Sequence, residues 1–324
     1  MSLKAQGVMA DLQDLLLKTS RTFALAIPTL PEPLRVKVTT AYLLFRIADT
    51  FEDAALWPLR QRLNALDDFA RLLQERGDGR KLADRWSAEP PIAHAGYLEL
   101  LAGAPTVFEV YRSLPRAAQQ SLCEHLVRTT RGMAEFVERS DAAGTLRLAD
   151  LDDLRRYCYV VAGIVGEMLT ELFLLEYPAL EAVADYVRPR SAAFGEGLQL
   201  VNILKDSSSD LTEGRSYLPA GVDRAAVFAL ARRDLERASE YVAALQQAGA
   251  PKGCVAFTAL PVLLADASLN RVERLGPGAK LTRPEVLALV AQLEDALASG
   301  QPALPFESCR RAAAELPGSG SARP

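Results

Sequence analysis

An all-α fold is predicted by three observations. Apolar residues recur at helical spacing along most of the chain. β-branched runs bounded by tight turns are scarce, and prolines mark the joints between the apolar stretches. Pro31-Glu32-Pro33 opens a helix through about Asp53, since proline is tolerated in a first turn whose N–H groups have no helical partner. Trp57-Pro58 opens the next, through Gln74, and Pro90-Pro91 and Pro105 break the region before a helix near 116–139. Helices follow near 151–175 and 180–208, and Pro219 stops the loop after them. The last three cover 224–247, 252–275 and 283–298, with Gly276-Pro277-Gly278 separating the final pair. No short repeat of the solenoid type is present.

With 324 residues, 49% hydrophobic and 24% charged, the chain can bury a substantial core. No Ser/Gly linker divides it before a flexible tail at 317–324, so a single domain over 1–316 is expected. A net charge of -4 supplies no general electrostatic reason to bind nucleic acid, and local basic residues must do specific jobs. Cys123, Cys158, Cys254 and Cys309 are scattered without metal-like pairing, and the first residues lack the order of a signal peptide. Cytoplasmic thiols are the expectation. The longest apolar runs, 158–166 and 255–265, are too short to cross a bilayer and the second contains Pro261, so no transmembrane anchor is expected. Peripheral membrane contact stays open.

Helical spacing gives two acidic clusters a geometry. Arg46, Asp49, Glu52 and Asp53 fall on neighbouring turns after the apolar Ala41, Leu43, Leu44, Phe45 and Ile47. Gln199, Asn202, Asp206 and Asp210 form a second polar stripe among Leu198, Leu200, Val201, Ile203 and Leu204. One such cluster is ordinarily a solvated helix end, as Asp67-Asp68 and Asp152-Asp153 illustrate, the latter suited to a helix N-terminus. Two matched clusters accompanied by Arg21, Arg46, Lys205 and Arg215 suit magnesium ions shared with a diphosphate. Gln199 and Asn202 orient water, phosphate or a metal ligand, or else hydrogen-bond between helices. His94 and His125 lack a metal or acid-base constellation and receive no role.

At these residues the sequence resembles the squalene and phytoene synthase family. The resemblance is carried by residues 20–28 (Ser20, Arg21, Thr22, Phe23 to Pro28), 45–53 (Phe45, Arg46 to Glu52, Asp53), 157–167 (Tyr157 to Glu167), 199–206 (Gln199 to Asp206) and 214–219. It implies an isoprenoid synthase helical bundle with a central cavity, Mg2+ as cofactor, and head-to-head joining of two prenyl diphosphates. By the same resemblance Asp49, Asp53, Asp206 and Asp210 are the expected metal ligands, with Glu52 binding directly or orienting the others. Ser20, Arg21 and Arg46 match positions near diphosphate, Lys205 and Arg215 flank the second motif, and Tyr157 matches a catalytic tyrosine. Phe23, Ile27, Leu44, Val161 and Val165 are candidate walls for the prenyl chain, and Gly163 and Gly166 would allow close approach of a neighbour or of that chain.

The implied reaction ionises one allylic diphosphate, attacks the cation with the double bond of the second, and proceeds through a cyclopropylcarbinyl diphosphate. The form of the first motif and the 157–167 segment are more similar to farnesyl-using squalene synthases than to geranylgeranyl-using phytoene synthases. Farnesyl diphosphate is therefore the expected substrate and squalene the expected product, with NADPH required if the product is squalene. Phytoene, dehydrosqualene and hydroxysqualene outcomes, which need no hydride, stay open, as does a non-catalytic prenyl-lipid-binding or assembly protein of the same fold. Two positions depart from the family pattern: Ser209 stands where an acid is common, and Lys280, in a short 276–281 loop, stands for a phosphate-binding arginine.

Overall fold

The helical periodicity of the sequence resolves, in a computed structural model, into thirteen α-helices and no strand among the described residues. The structure describes residues 3–20, 22–75, 77, 79–141, 145–212 and 217–309, with the side chains of 3–6 and 208–212 outside the description. The expected tail at 317–324 lies outside the described residues. Contacts divide the chain into two units, Met1–Pro28 with Glu32–Leu146, and Thr29–Pro31 with Arg147–Pro324.

In the first unit the central element is α3 (Leu34–Glu52), which touches α1 (Leu3–Thr19), α4 (Leu59–Gln74), α6 (Ala95–Ser113) and α7 (Arg116–Glu138). It starts at Pro33, as the Pro31-Glu32-Pro33 signal predicts. Leu34, Leu43, Leu44, Ile47 and Phe51 have no exposed surface, each stabilising the fold by roughly 1.5–3 kcal/mol relative to exposure. The threonines within it bond back one turn, Thr39 to Arg35 O, Thr40 to Val36 O and Thr50 to Arg46 O, so no hydroxyl of the three is stranded. Phe51 sits in an aromatic block, 5.9 Å from Trp57, 6.3 Å from Phe69 and 4.8 Å from Trp86 between ring centroids.

The expected break at Pro105 does not occur. Pro105 lies inside α6, where the missing N–H and the ring clash cost roughly 3 kcal/mol. Burial of Leu100, Leu101, Ala104, Val107 and Phe108, none of them exposed, offsets that cost. Two short helices that lack long apolar runs, α2 (Thr22–Ala26) and α5 (Gly79–Ala88), complete the unit.

The second unit is organised around α10 (Ala184–Thr212), which packs against α8 (Leu151–Cys158), α9 (Ile164–Glu176), α11 (Arg224–Gln247) and α12 (Lys252–Leu275). α8 begins as the acidic pair predicts: the Asp150 side chain accepts the Asp153 N–H at 2.9 Å, with Asp152 and Asp153 in the first turn. The expected helix over 151–175 is not uniform. A π-turn, Tyr159–Gly163, separates α8 from α9, and a 3-10 segment, Pro178–Val183, precedes α10. Gly276 ends α12 with φ 87°, and α13 (Arg283–Ser299) opens on a Thr282/Glu285 capping box. Two stretches, Leu151–Glu176 and Lys252–Leu275, are long and apolar enough to cross a membrane, contrary to the expectation from uninterrupted runs. Single polar residues shorten a run without removing the apolar character of the helix, and 61% of each window is buried inside the protein.

Glycines let α10 approach the π-turn and α9 at backbone contact. A Cβ on Gly166 would lie 2.0 Å from Ser191 O, and one on Gly195 would lie 1.8 Å from Ala162 O. The close approach anticipated for Gly163 and Gly166 is thus with a neighbouring helix. Gly195→Ala is expected to lower stability by about 3 kcal/mol or more, the upper range for overpacking. Gly7→Ala, where nothing lies within 4 Å, serves as the control and is expected to be neutral or slightly stabilising. Urea unfolding midpoints of the two variants check both signs.

Candidate active site

The central helix of each unit carries one of the two acidic motifs. At the end of α3, Arg46 Nη1 lies 3.3 Å from Asp49 Oδ2, and the two side chains are 28% and 27% exposed. The guanidinium sits 5.6 Å above the Tyr42 ring and 5.5 Å above the Tyr97 ring, and its Nε is buried with no hydrogen-bond partner among the described residues. Burial opposes the charge on Arg46, but the Asp49 carboxylate and the two tyrosines outweigh it and hold its pKa above the ordinary value. Asp49 is pushed up to about 6 by burial, against the pull of Arg46 and with a further push from Asp53. Two carboxylates that repel one another beside a fixed cation suit a divalent ion together with an anion.

Glu52 is buried at 8% exposure, and its carbonyl accepts a bond from Arg62 Nη2 of α4. A cation therefore meets the C-terminal end of the helix that carries the acids. Ser20 Oγ accepts the Phe23 N–H at 2.9 Å and caps α2, while Phe23 lies 5.6 Å from the Tyr42 ring. Ile27 and Leu44 have no exposed surface and belong to the core of the unit. Arg21 lies outside the described residues.

On α10, Lys205 Nζ donates to Asn202 Oδ1 at 3.0 Å and lies 3.4 Å from Asp206 Oδ2. Gln199 is half-buried on the same helix. Gly278 N donates to Lys205 O at 2.7 Å, which fastens the loop after α12 to the acidic turn, and the exposed Lys280 belongs to that loop. Its carbonyl is held by Arg271 Nη1 at 2.7 Å. Tyr157, buried at 4% exposure, stacks on Tyr217 with centroids 5.1 Å apart and planes at 22°. Val161 and Val165 are half-buried on the π-turn and α9. The Asp210 and Ser209 side chains, and Arg215, lie outside the described residues.

Among the described residues no three His, Cys, Asp or Glu side chains form a metal-holding group. Magnesium commonly takes one or two carboxylates and completes its shell with water and substrate phosphate, so the Asp49/Asp53 pair in the first unit, and separately Asp206 in the second, would each fit such an ion only with those partners. Sequence reasoning missed Tyr42, Tyr97, Arg62, Tyr217 and Arg224. Tyr42 stands four residues before Arg46, a spacing that was readable, whereas Tyr97 and Arg62 arrive from other helices with no local signal. Arg224 Nη2 donates to Leu204 O at 2.8 Å and Nη1 to Ser207 Oγ at 3.3 Å, bracing the turn around Asp206, and burial lowers its pKa. A cavity of about 300 Å³ in the first unit is lined by Trp57, Asn64, Asp68, Arg85, Trp86 and neighbours, none of them a predicted site residue.

Comparison with known proteins adds a family. A family model described as squalene/phytoene synthase matches residues 16–290. The squalene synthase of Eremothecium gossypii is 30% identical over 207 residues, covering 63% of this chain and 44% of its own. The chain spans less than half the length of the curated relatives it matches. Among solved structures, TcSQS in complex with the ligand E5700 superposes with TM-score 0.72 at 23% identity, covering 93% of this chain and 96% of that one. A dehydrosqualene synthase in complex with a ligand gives TM-score 0.58 at 23% identity, covering 91% and 98%. These likenesses agree on the all-α fold.

Arg62→Met keeps the side-chain stem and removes the donor to Glu52 O. It is expected to lower stability by about 1.5–3 kcal/mol, the range for a hydrogen bond to a charged group. Faster amide exchange in the last turn of α3, read by hydrogen exchange, is the accompanying signature.

Proposed function

Because the chain belongs to the squalene/phytoene synthase family, we propose that it joins two molecules of farnesyl diphosphate head to head, through a cyclopropylcarbinyl diphosphate, to squalene. The observation that carries this reading is the chemistry of the two central helices. Each ends a buried apolar course in carboxylates with a basic side chain in contact, Arg46 at Asp49 and Lys205 at Asp206.

Asp49, Asp53, Asp206 and Asp210 would hold magnesium, with Glu52 supporting them, and the ion supplies Lewis-acid stabilisation of a departing diphosphate. Arg46 offers a guanidinium already fixed by two aromatic rings and a carboxylate, with a buried Nε free of other bonds among the described residues, toward phosphate oxygen. Arg21, Lys205, Arg215, Lys280 and the Ser20 hydroxyl complete the anion-binding set. Gln199 and Asn202 orient water and phosphate on the second helix. The stacked Tyr157 and Tyr217 rings present π-density to the allylic cation, and the Tyr157 hydroxyl orients the released diphosphate. Phe23, Val161 and Val165 face the prenyl chain and keep water from the cation. The reaction belongs in the cytoplasm, and its oily product leaves by transfer to a bilayer or to the next enzyme.

Squalene differs from dehydrosqualene, hydroxysqualene and phytoene by a hydride or by chain length, so the product discriminates among them. Incubation with farnesyl diphosphate and magnesium, with and without NADPH, is expected to release pyrophosphate, and mass analysis to find squalene only when NADPH is present. Asp53→Asn and Asp206→Asn are each expected to lower turnover by roughly 10²–10³, the scale of losing a transition-state electrostatic contact, with little change in the unfolding midpoint. Absence of pyrophosphate release from farnesyl or geranylgeranyl diphosphate would overturn the reading in favour of a prenyl-lipid-binding protein.

A further inference from the structure

The π-turn Tyr159–Gly163 lies between Tyr157 and the wall residue Val165, and a residue of α10 is fitted into it. A Cβ on Gly163 would lie 3.0 Å from Glu196 Oε1 and 2.8 Å from Tyr159 Cδ2. The missing side chain leaves a notch, and the Glu196 carboxyl occupies it. That carboxyl makes no hydrogen bond or ion pair among the described residues, although the side chain is half-buried. Asp234 of α11 packs against Gly197, is 7% exposed, and has a buried Oδ2 with no hydrogen-bond partner among the described residues.

The charged and titratable groups around Glu196 are Asp234 and Arg237 on α11, Arg155 on α8 and Glu167 on α9. Arg233 of α11 also acts on Asp234. Arg155, Arg233 and Arg237 are exposed. On the turn itself, Tyr159 OH donates to Glu167 Oε1 at 3.1 Å, and Cys158 is fully buried, its thiol pushed up by burial and then by the two acids. Burial pushes Glu196 up to about 7, with Asp234 adding to the shift and the arginines opposing it, and burial pushes Asp234 up to about 6. A π-turn adds a residue to one helical turn, so it sets the angle between the faces on which Tyr157 and Val165 stand.

We propose that Glu196 is a positioning residue: its carboxyl fills the Gly163 notch and holds the π-turn that aims Tyr157 and Val165. This rests on the proposed function only for the reaction that Tyr157 serves. Loss of the proton sets a carboxylate against Asp234 in a partly desolvated space, which weakens the fit of the Glu196 side chain in the notch. Because the folded-state value is raised, the stabilisation is complete below the ordinary carboxyl range, near 4.5, and is lost as pH rises through about 7.

The test uses the full chain and Glu196→Gln, an isostere of the neutral acid, with Asp234→Asn as the second variant. Thermal unfolding midpoints without substrate, from about pH 5 to about pH 9, are expected to fall through neutrality for the wild type and to stay level there for E196Q, with D234N intermediate. In turnover, wild-type kcat is expected to drop by roughly tenfold per pH unit above its limb while KM stays constant, and E196Q is expected to lose that limb. Superimposable midpoint profiles for wild type and E196Q would overturn the neutral carboxyl, and superimposable kcat profiles would overturn the positioning role. A wild type without turnover overturns the proposed function and the positioning role with it, while the midpoint profiles still decide the protonation state.

Discussion

Asp49 loses solvation because α3 is buried along nearly its whole course, and the pressure this puts on its charge has to be met by something near at hand. Arg46 meets part of it directly, and the guanidinium is itself held between the Tyr42 and Tyr97 rings. Asp53 acts in the opposite sense, adding a second negative charge to a turn that already resists the first. A turn so arranged is a poor place for isolated carboxylates and a good one for carboxylates with an ion between them. The aromatic block behind Phe51 and the Arg62 bond to Glu52 O keep the backbone from relaxing away from that conflict.

The second unit faces a different requirement. Lys205 lies beside Asp206, and the Gly278 bond to Lys205 O brings the loop after α12 onto the same turn. Precision comes from contact between backbones, since Gly166 and Gly195 leave no room for a methyl group between α10 and its neighbours. Rigid packing at that seam leaves the π-turn as the point where side-chain chemistry, rather than shape alone, sets the path of the chain.

Much of this was readable from residue order. Pro33, Pro58 and Gly276 mark helix ends through local backbone chemistry, and each marks one in the structure. Asp150, just before the anticipated Asp152-Asp153 pair, caps its helix for the same local reason. Pro105 misled because its cost is local while the burial that offsets it comes from other helices. The π-turn had no signal, since its register depends on the neighbouring α10. Arg46 and Asp49 were legible as neighbours three residues apart on a helix, and Lys205 and Asp206 as adjacent residues of the second motif. Tyr97, Arg62 and Arg224 were not, because what they touch is decided by helix packing. In the sequence Glu196 is one more charge on a helix, and the notch at Gly163 is what distinguishes it.

The chain contains two tryptophans, and both rest on Phe51, one residue before Glu52. Its indole emission therefore arises from a single spot directly behind the first acidic turn. The protein carries a built-in optical gauge of that turn, so a shift of the α3 terminus becomes visible without any attached dye.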